Sequence, residues 1–302
     1  MTNSILEVRN LKKSYDGNQV IKGIDFQLES GEILGFVGPN GSGKTTTLKA
    51  ILGLVRKNDG EVLVCQKNTD DCYEEAMKEV GAMIEVPRFY PHLSGYNNLK
   101  LSARMYKDVT SEEVKKLVSL VSMEKRIHDR VRKYSLGMKQ RLGICQSLLG
   151  NPKLLLLDEP INGLDIDGVF EFRNILLRLR EERGTSILIS SHILSEVEKI
   201  CDKVIVINDG NIVNNLDLKN KLTTVQLLLK TENMDDLRRE LSSCKDIILV
   251  RDADFIEVQM NEQDKYMLIN HLIQRGIIFQ SIEEVDTSLE NEYVKVAGCR
   301  RN

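Results

Sequence analysis

Short, continuous apolar runs alternate with helical periodicities along the first two-thirds of the chain. The runs Ile33 to Val37, Leu154 to Leu157 and Ser186 to Ile189 are typical of strands buried on both faces of a parallel sheet. A capping box at 110–113 opens an amphipathic helix, and the pattern over 91–146 is almost wholly helical. This alternation predicts an α/β domain that has a mixed sheet and a helical insert.

A second pattern begins after Leu222, and its order of elements is β-α-β-β-α-β. That order is typical of a small α+β ferredoxin-like domain. We therefore predict one domain over residues 5–221, with the helical insert at about 91–146, and an accessory domain over 222–302. The predicted elements are strands at Val225 to Leu229, Ile247 to Val250, Ile256 to Val258 and Ile277 to Phe279, and helices at Met234 to Leu241 and through Tyr266, Leu268 and Leu272.

Composition and charge exclude several classes of protein. With 42 basic and 45 acidic residues in 302, the net charge is −3, so we expect no nucleic-acid partner. No apolar run approaches the ~20 residues of a membrane-spanning helix, and the first ten residues lack the pattern of a secretion signal. Six cysteines without a Cys-x-x-Cys pair favour free, mostly buried thiols. We expect a cytosolic protein, whose membrane role would require a partner.

A phosphate-binding loop follows the first buried strand. The sequence from Gly38 to Thr45 fits G-x-x-x-x-G-K-[ST] and lies between a predicted strand and a predicted helix. Glycines allow backbone N–H groups to surround a triphosphate, and the helix N-terminus adds positive potential. Lys44 should reach the β- and γ-phosphates, and the Thr45 hydroxyl should hold Mg²⁺. The predicted nucleotide-binding set is Gly38, Pro39, Asn40, Gly41, Ser42, Gly43, Lys44, Thr45 and Thr46.

Two acidic residues end the apolar strand at 154–157. The carboxyl ends of parallel strands are where open α/β sheets bind ligands, so Asp158 and Glu159 should face the phosphate loop. Asp158 is predicted to support Mg²⁺. Glu159 is predicted to polarise an attacking water, which is a weak nucleophile without a general base.

Four further motifs indicate which nucleotide-binding class this is. Tyr134 to Arg141 precedes the acidic strand, Pro160 to Asp165 follows it, His192 comes after the strand at 186–189, and Tyr15 lies upstream of the loop. With these motifs in this order, about residues 5 to 220 resemble the ATP-binding subunit of an ABC transporter. The resemblance implies ATP and Mg²⁺ as cofactors, with Tyr15 stacking on adenine and His192 contacting the γ-phosphate.

The resemblance also implies partners. Ser135 and Gly137 would bind the γ-phosphate held by an opposite subunit, and Asp165 would communicate across that interface. An ATP-dependent head-to-tail dimer is therefore expected, together with a separate polytopic membrane permease that holds the chain at the cytoplasmic face of the membrane. His192, Lys44 and Glu159 form the expected catalytic set.

Two departures from the usual family pattern refine the expectation. Leu136 and Met138 replace a glycine and a glutamine in the signature, and Glu85 stands where a glutamine is usual. A carboxylate keeps an oxygen for Mg²⁺ but adds charge, so the expected metal ligands are Thr45, Glu85 and Asp158. These features resemble the bacitracin-resistance and lantibiotic-immunity branch, which implies efflux of antimicrobial peptides. A soluble nucleotide-switch protein and a non-catalytic ATP-binding regulator stay open as alternatives.

Overall fold

The computed structural model describes residues 4–107, 109–218, 224–242, 244, 247–261 and 264–285. The chain divides into two compact units, Met1–Leu216 and Asp217–Asn302. The domain boundary predicted at 221/222 lies outside the described residues. Within the described ranges, no helix combines the length and the apolar character needed to cross a membrane.

A six-stranded sheet forms the centre of the first unit. Its strand order is β10-β9-β3-β8-β7-β6, and the pairs β3–β8, β3–β9, β7–β8 and β6–β7 are parallel. Every residue of β3, β7 and β8 is buried, as the three apolar runs predict. The elements up to Asp217 are β1 (Ser4–Tyr15), β2 (Asn18–Glu29), β3 (Ile33–Val37), α1 (Lys44–Ile51), β4 (Asp59–Val64), β5 (Lys67–Asn68), α2 (Tyr73–Met77), β6 (Val80–Met83), α3 (Gly95–Ala103), α4 (Ser111–Leu120), a 3₁₀ turn (Val131–Lys133), α5 (Leu136–Ser147), β7 (Leu154–Asp158), α6 (Ile166–Arg183), β8 (Ser186–Ser191), α7 (Leu194–Glu198), β9 (Lys203–Asn208) and β10 (Asn211–Asp217).

A second sheet in this unit, of order β2-β1-β4-β5, is antiparallel throughout. Leu6 of β1, Leu34 of β3 and Leu48 of α1 belong to one hydrophobic core, so the two sheets and α1 share their buried faces. That packing fixes α1, and with it the phosphate loop, against the ends of the parallel strands. A hairpin joins β9 to β10 through Asp209 and Gly210, both with positive φ, as a tight twisted turn requires.

The helical insert is less continuous than predicted. It contains α3, α4 and α5, but the stretch between α4 and α5 forms turns and one 3₁₀ turn. Ser122 takes a left-handed conformation, with φ of 56°, directly after α4 and so ends that helix. The predicted capping box at Thr110 is confirmed, because its hydroxyl accepts from the Glu113 backbone while the Glu113 carboxylate accepts from Thr110.

The second unit has the predicted ferredoxin-like order. Its sheet runs β12-β13-β11-β14 with every pair antiparallel. One predicted strand began too early: Ile277 precedes β14 and closes α9 by donating to Leu272, while Gly276 has φ of 85° and donates to Ile273. The elements are β11 (Thr224–Thr231), α8 (Met234–Ser242), β12 (Ile248–Asp252), β13 (Ile256–Asn261), α9 (Lys265–Gln274) and β14 (Phe279–Glu284).

Candidate active site

The phosphate loop joins β3 to α1 and is built on glycines that no other residue replaces easily. Gly41 and Gly43 have φ of 82° and 109°, which L side chains rarely adopt. A Cβ on Gly38 would lie 2.1 Å from the Ile207 carbonyl oxygen. Ser42 is 3% exposed, and its hydroxyl has no hydrogen-bond partner among the described residues. A buried donor beside exposed backbone N–H groups fits phosphate oxygens as its acceptors.

Lys44 lies over this loop with only 5% of its side chain exposed. Its ammonium donates to the carbonyl oxygens of Gly38 at 2.8 Å and Pro39 at 3.2 Å, and it pairs with a Glu159 carboxylate oxygen at 3.3 Å. A buried cation must keep close partners because desolvation is costly. The loop therefore presents a fixed positive charge beside the acidic strand end.

Thr45 meets Asp158 as the metal prediction requires. The Thr45 hydroxyl lies 3.0 and 2.9 Å from the two Asp158 carboxylate oxygens, and Asp158 is buried at the end of β7. One carboxylate and one hydroxyl, completed by phosphate oxygens and water, form a suitable Mg²⁺ site, because this ion rarely takes an all-protein cage. The pair fits Mg²⁺; its role as ligand stays a prediction.

Ser190 is a site residue that sequence reasoning missed. It ends β8 beside Asp158, donates its hydroxyl to an Asp158 oxygen at 2.7 Å, and accepts from the Glu159 backbone N–H at 3.0 Å. It is fully buried. The available signal was a pair of serines ending an otherwise apolar strand, where a buried hydroxyl needs a polar partner.

Glu159 and His192 come together directly beyond β7 and β8. His192 Nδ1 is 2.7 Å from a Glu159 carboxylate oxygen, which is a hydrogen-bonding distance. Glu159 has a φ of 47°, a left-handed conformation that is uncommon for this residue type. Backbone strain of this kind persists where neighbouring contacts hold it, here the hydrogen bonds to Ser190.

Glu85 lies just after β6, where it forms an ion pair with a lysine of α1. Its carboxylate accepts from Lys49 of α1 at 2.8 Å. This hydrogen bond lowers the pKa of Glu85 and raises the pKa of Lys49. No group of three or more His, Cys, Asp or Glu side chains suited to a metal occurs among the described residues. The metal role of Glu85 stays a prediction.

Tyr15, the residue predicted to stack on adenine, ends β1 and is 43% exposed. The Lys13 ammonium lies 4.5 Å from the centre of its ring. An exposed ring at a strand end offers a face for stacking, although its contact with adenine stays a prediction.

The signature motif, Tyr134 to Arg141, and the segment Pro160 to Asp165 lie next to each other and form a second cluster. Ser135 caps α5 by accepting from Met138, and Asp165 caps α6 by accepting from Gly168 at 2.8 Å. A Cβ on Gly137 would lie 3.6 Å from Leu164, so the two segments are neighbours. Among the described contacts, none joins Ser135 or Gly137 to the phosphate loop.

Comparison with known proteins identifies the class. Residues 21–162 match the family model described as ABC transporter. The chain is 37% identical to an uncharacterised ABC transporter ATP-binding protein, YhcH of Bacillus subtilis, over 98% of this chain and 96% of the relative. It is 33% identical to the bacitracin transport ATP-binding protein BcrA of Enterococcus faecalis, over 97% and 96%. It is 39% identical to the lantibiotic transport ATP-binding protein SrtF of Streptococcus pyogenes, over 69% and 89%.

Solved structures agree with this result. The structure of cbiO1 of Clostridium perfringens, part of the ABC transporter complex cbiONQ, aligns with a TM-score of 0.67 at 27% identity, over 73% of this chain and 91% of that one. A dimeric bacterial ABC transporter cassette aligns at 0.63 and 25%, over 70% and 98%. The chain belongs to the ABC transporter ATP-binding proteins, and it binds and hydrolyses ATP.

Proposed function

We propose that this chain is the ATP-hydrolysing subunit of a bacterial efflux transporter and drives a separate polytopic permease from the cytoplasmic face of the membrane. The observation that carries the proposal is the cluster in which Lys44, Glu159 and His192 are held together next to the Thr45–Asp158 pair. A hydrolytic site needs a phosphate clamp, a metal support and a general base within one pocket, and these residues supply all three.

The same geometry suggests how the residues share the work. The loop amides, the Ser42 hydroxyl and the Lys44 ammonium bind and orient the phosphates. Glu159 accepts a proton from the attacking water, and His192 holds its carboxylate in position through the 2.7 Å contact. Ser190 fixes both Asp158 and the Glu159 backbone, so the two acids keep separate roles. When bound, Mg²⁺ neutralises charge that develops on the phosphate oxygens.

The separation of the signature from the phosphate loop supports a dimer. If Ser135 and Gly137 contact a γ-phosphate, that phosphate is bound by the opposite subunit. A similar cassette of known structure is a dimer, which supports this arrangement. Two head-to-tail chains would then enclose two ATP molecules, with Asp165 near the shared interface. Glu159→Gln should bind ATP without hydrolysing it and so lock the dimer. A sizing column run with ATP that shows only monomers of this variant would exclude the composite site.

The permease should dock next to Glu85. A groove of about 460 Å³ runs between the exposed edge of β6 and α5, and Glu85, Val86 and Arg88 line one side of it. Phe89 is half-buried beyond that side. Arg88→Glu combined with Phe89→Ala should uncouple transport while basal hydrolysis persists. Joint loss of folding and hydrolysis would instead make the segment part of the core.

The cargo is proposed from the relatives. Two of them are named for bacitracin transport and lantibiotic transport. Glu85 and the Leu136 and Met138 variation in this chain resemble that branch of the family. We expect cells that carry the intact transporter to survive bacitracin-like or lantibiotic peptides better than cells with Lys44→Ala. Equal susceptibility over a panel of such peptides would reject the cargo and leave the ATPase assignment in place.

A further inference from the structure

Two residues on consecutive turns of helix α1 each form a hydrogen bond with a carboxylate from another part of the chain. Thr45 and Lys49 are four residues apart, so they project from the same face of the helix with Cβ atoms about 5–6 Å apart. Thr45 bonds Asp158 at 2.9 Å, and Lys49 bonds Glu85 at 2.8 Å. A cation on the helix face that carries Thr45 therefore binds the extra acid of this chain and also feels the charge of Asp158.

Glu85 has an uncommon backbone conformation, and its carboxylate is surrounded by positive charge. Its φ is 61°, which is uncommon for a residue other than glycine, asparagine or aspartate. Two cations act on its carboxylate, Lys49 through the hydrogen bond and Arg88 at longer range, and Asp158 acts in turn on Lys49. Glu85 is 64% exposed, so the Lys49 contact sets its position and contributes little to stability.

We propose that Lys49 is a positioning residue that holds the Glu85 carboxylate and competes with Mg²⁺ for it. A neutral amide at position 85 would need no counter-ion, whereas a carboxylate adds a second negative charge around Lys49, on which Asp158 also acts. Lys49 offsets that charge and limits the part that Glu85 takes in binding the metal. The inference rests on the proposed metal site at Thr45 and Asp158 and is independent of the cargo.

The test uses the full chain and a fluorescent, non-hydrolysable ATP analogue, with binding followed as Mg²⁺ is added. Lys49→Met should lower the Mg²⁺ concentration for half-maximal binding about three- to fivefold, the scale of one partly exposed charge. Lys49→Met combined with Glu85→Gln should behave like Glu85→Gln alone, because the released carboxylate is then missing. Lys49→Arg should restore the wild-type value, since it keeps the cation.

A matched control separates this effect from the loss of any surface ion pair. Lys12 pairs with Asp59 at 2.9 Å, with side-chain exposures of 35% and 59% against 31% and 64% for Lys49 and Glu85. Lys12→Met should leave the Mg²⁺ dependence unchanged. The proposal is overturned if Lys49→Met leaves the Mg²⁺ concentration for half-maximal binding unchanged. It is also overturned if Lys49→Met shifts that concentration equally in the wild type and in the Glu85→Gln variant. The proposed efflux function is tested separately by the peptide susceptibility of cells, so its failure can be distinguished from failure of the Lys49 proposal.

Discussion

The two units use opposite patterns of burial in their sheets. In the first unit, every residue of β3 and β7 is buried, because a parallel strand is covered on both faces. In the second unit, β13 alternates: Ile256, Val258 and Met260 are buried, while the residues between them are partly exposed. One sheet is enclosed, and the other covers a core on a single face.

This difference decides where chemistry can be located. Polar groups in an enclosed sheet occur at strand ends, where Asp158 and Ser190 are both buried and bonded to one another. Among the described residues of the second unit, Thr231 is the one buried polar side chain, and its hydroxyl is satisfied by the Ile278 carbonyl oxygen. The buried polar pair at the ends of β7 and β8 thus belongs to the candidate site, whereas the buried hydroxyl in the second unit makes a structural bond.

The largest expected effect comes from neutralising the predicted general base, and it tests whether the chemistry is confined to the first unit. Glu159→Gln should lower the rate of ATP hydrolysis by about 100-fold or more, since an amide cannot accept the proton from water. ATP binding should be kept, because Lys44 and the loop are unchanged. The measurement is phosphate release at saturating ATP.

The same substitution in the second unit is the control. Glu240 forms ion pairs with His271 and Arg275 and lies far along the chain from the site residues. Glu240→Gln should keep hydrolysis within about twofold, as is usual for exposed pairs. Comparable losses in both variants would mean that the second unit contributes directly to catalysis.

The next effect separates the stabilities of the two units. Leu227 of β11 and Leu156 of β7 are both fully buried, so truncation to Ala should cost about 2–5 kcal/mol in each case. With Leu156→Ala, nucleotide binding should be lost at a lower urea concentration than in the wild-type protein. Leu227→Ala should instead unfold the second unit early and leave nucleotide binding intact. If both variants lose binding at the same urea concentration, the two units unfold as one.

Sequence patterns predict best what is local. The loop between β3 and α1, the acids at the end of β7 and the capping box at Thr110 each depend on residues within a few positions. The structure has these local elements where they were predicted, and the roles of the loop and the acids stay predictions. The ferredoxin-like order was also predictable, because its strands are short apolar runs set between helices, although β12 is exposed along its whole length. Local hydrogen bonds and periodicity contain this information.

Contacts between distant segments could not be predicted in the same way. Lys49 and Glu85 are 36 residues apart, and nothing in either segment marks them as partners. The antiparallel sheet of β1, β2 and β4 was missed because register shifts, such as the one between Val8 and Leu11, interrupt its alternation. The predicted metal set placed Glu85 by resemblance, whereas its actual neighbour depends on how α1 packs against the sheet.

A smaller effect tests whether a helix cap in the first unit has a second role. Asp165→Ala should cost about 1 kcal/mol of unfolding free energy by removing the cap of α6, whereas Asp165→Asn should keep the cap. If Asp165 acts across a dimer, both variants should slow hydrolysis. Asp264, which begins α9 without a side-chain cap bond, is the control, and Asp264→Ala should change stability little.

The smallest effect uses cysteines as reporters of each unit. The expectation of mostly buried thiols was too general: of the five described cysteines, Cys145 and Cys201 are buried and Cys72 is exposed. Burial raises the pKa of Cys145 to about 12, so its thiolate stays scarce across pH 7–9 and alkylation in the folded state should be slow.

Cys244, half-buried at the end of α8, reports the second unit in the same experiment. Mass spectrometry of peptides after alkylation at pH 8 should show Cys72 modified first and Cys145 last, with Cys72→Ser removing the fast phase. Leu227→Ala should speed modification of Cys244, because the second unit opens more often, while leaving Cys145 protected. Acceleration of Cys145 by the same variant would show that loss of packing in the second unit reaches the core of the first, and the two patterns of burial would then belong to a single cooperative structure.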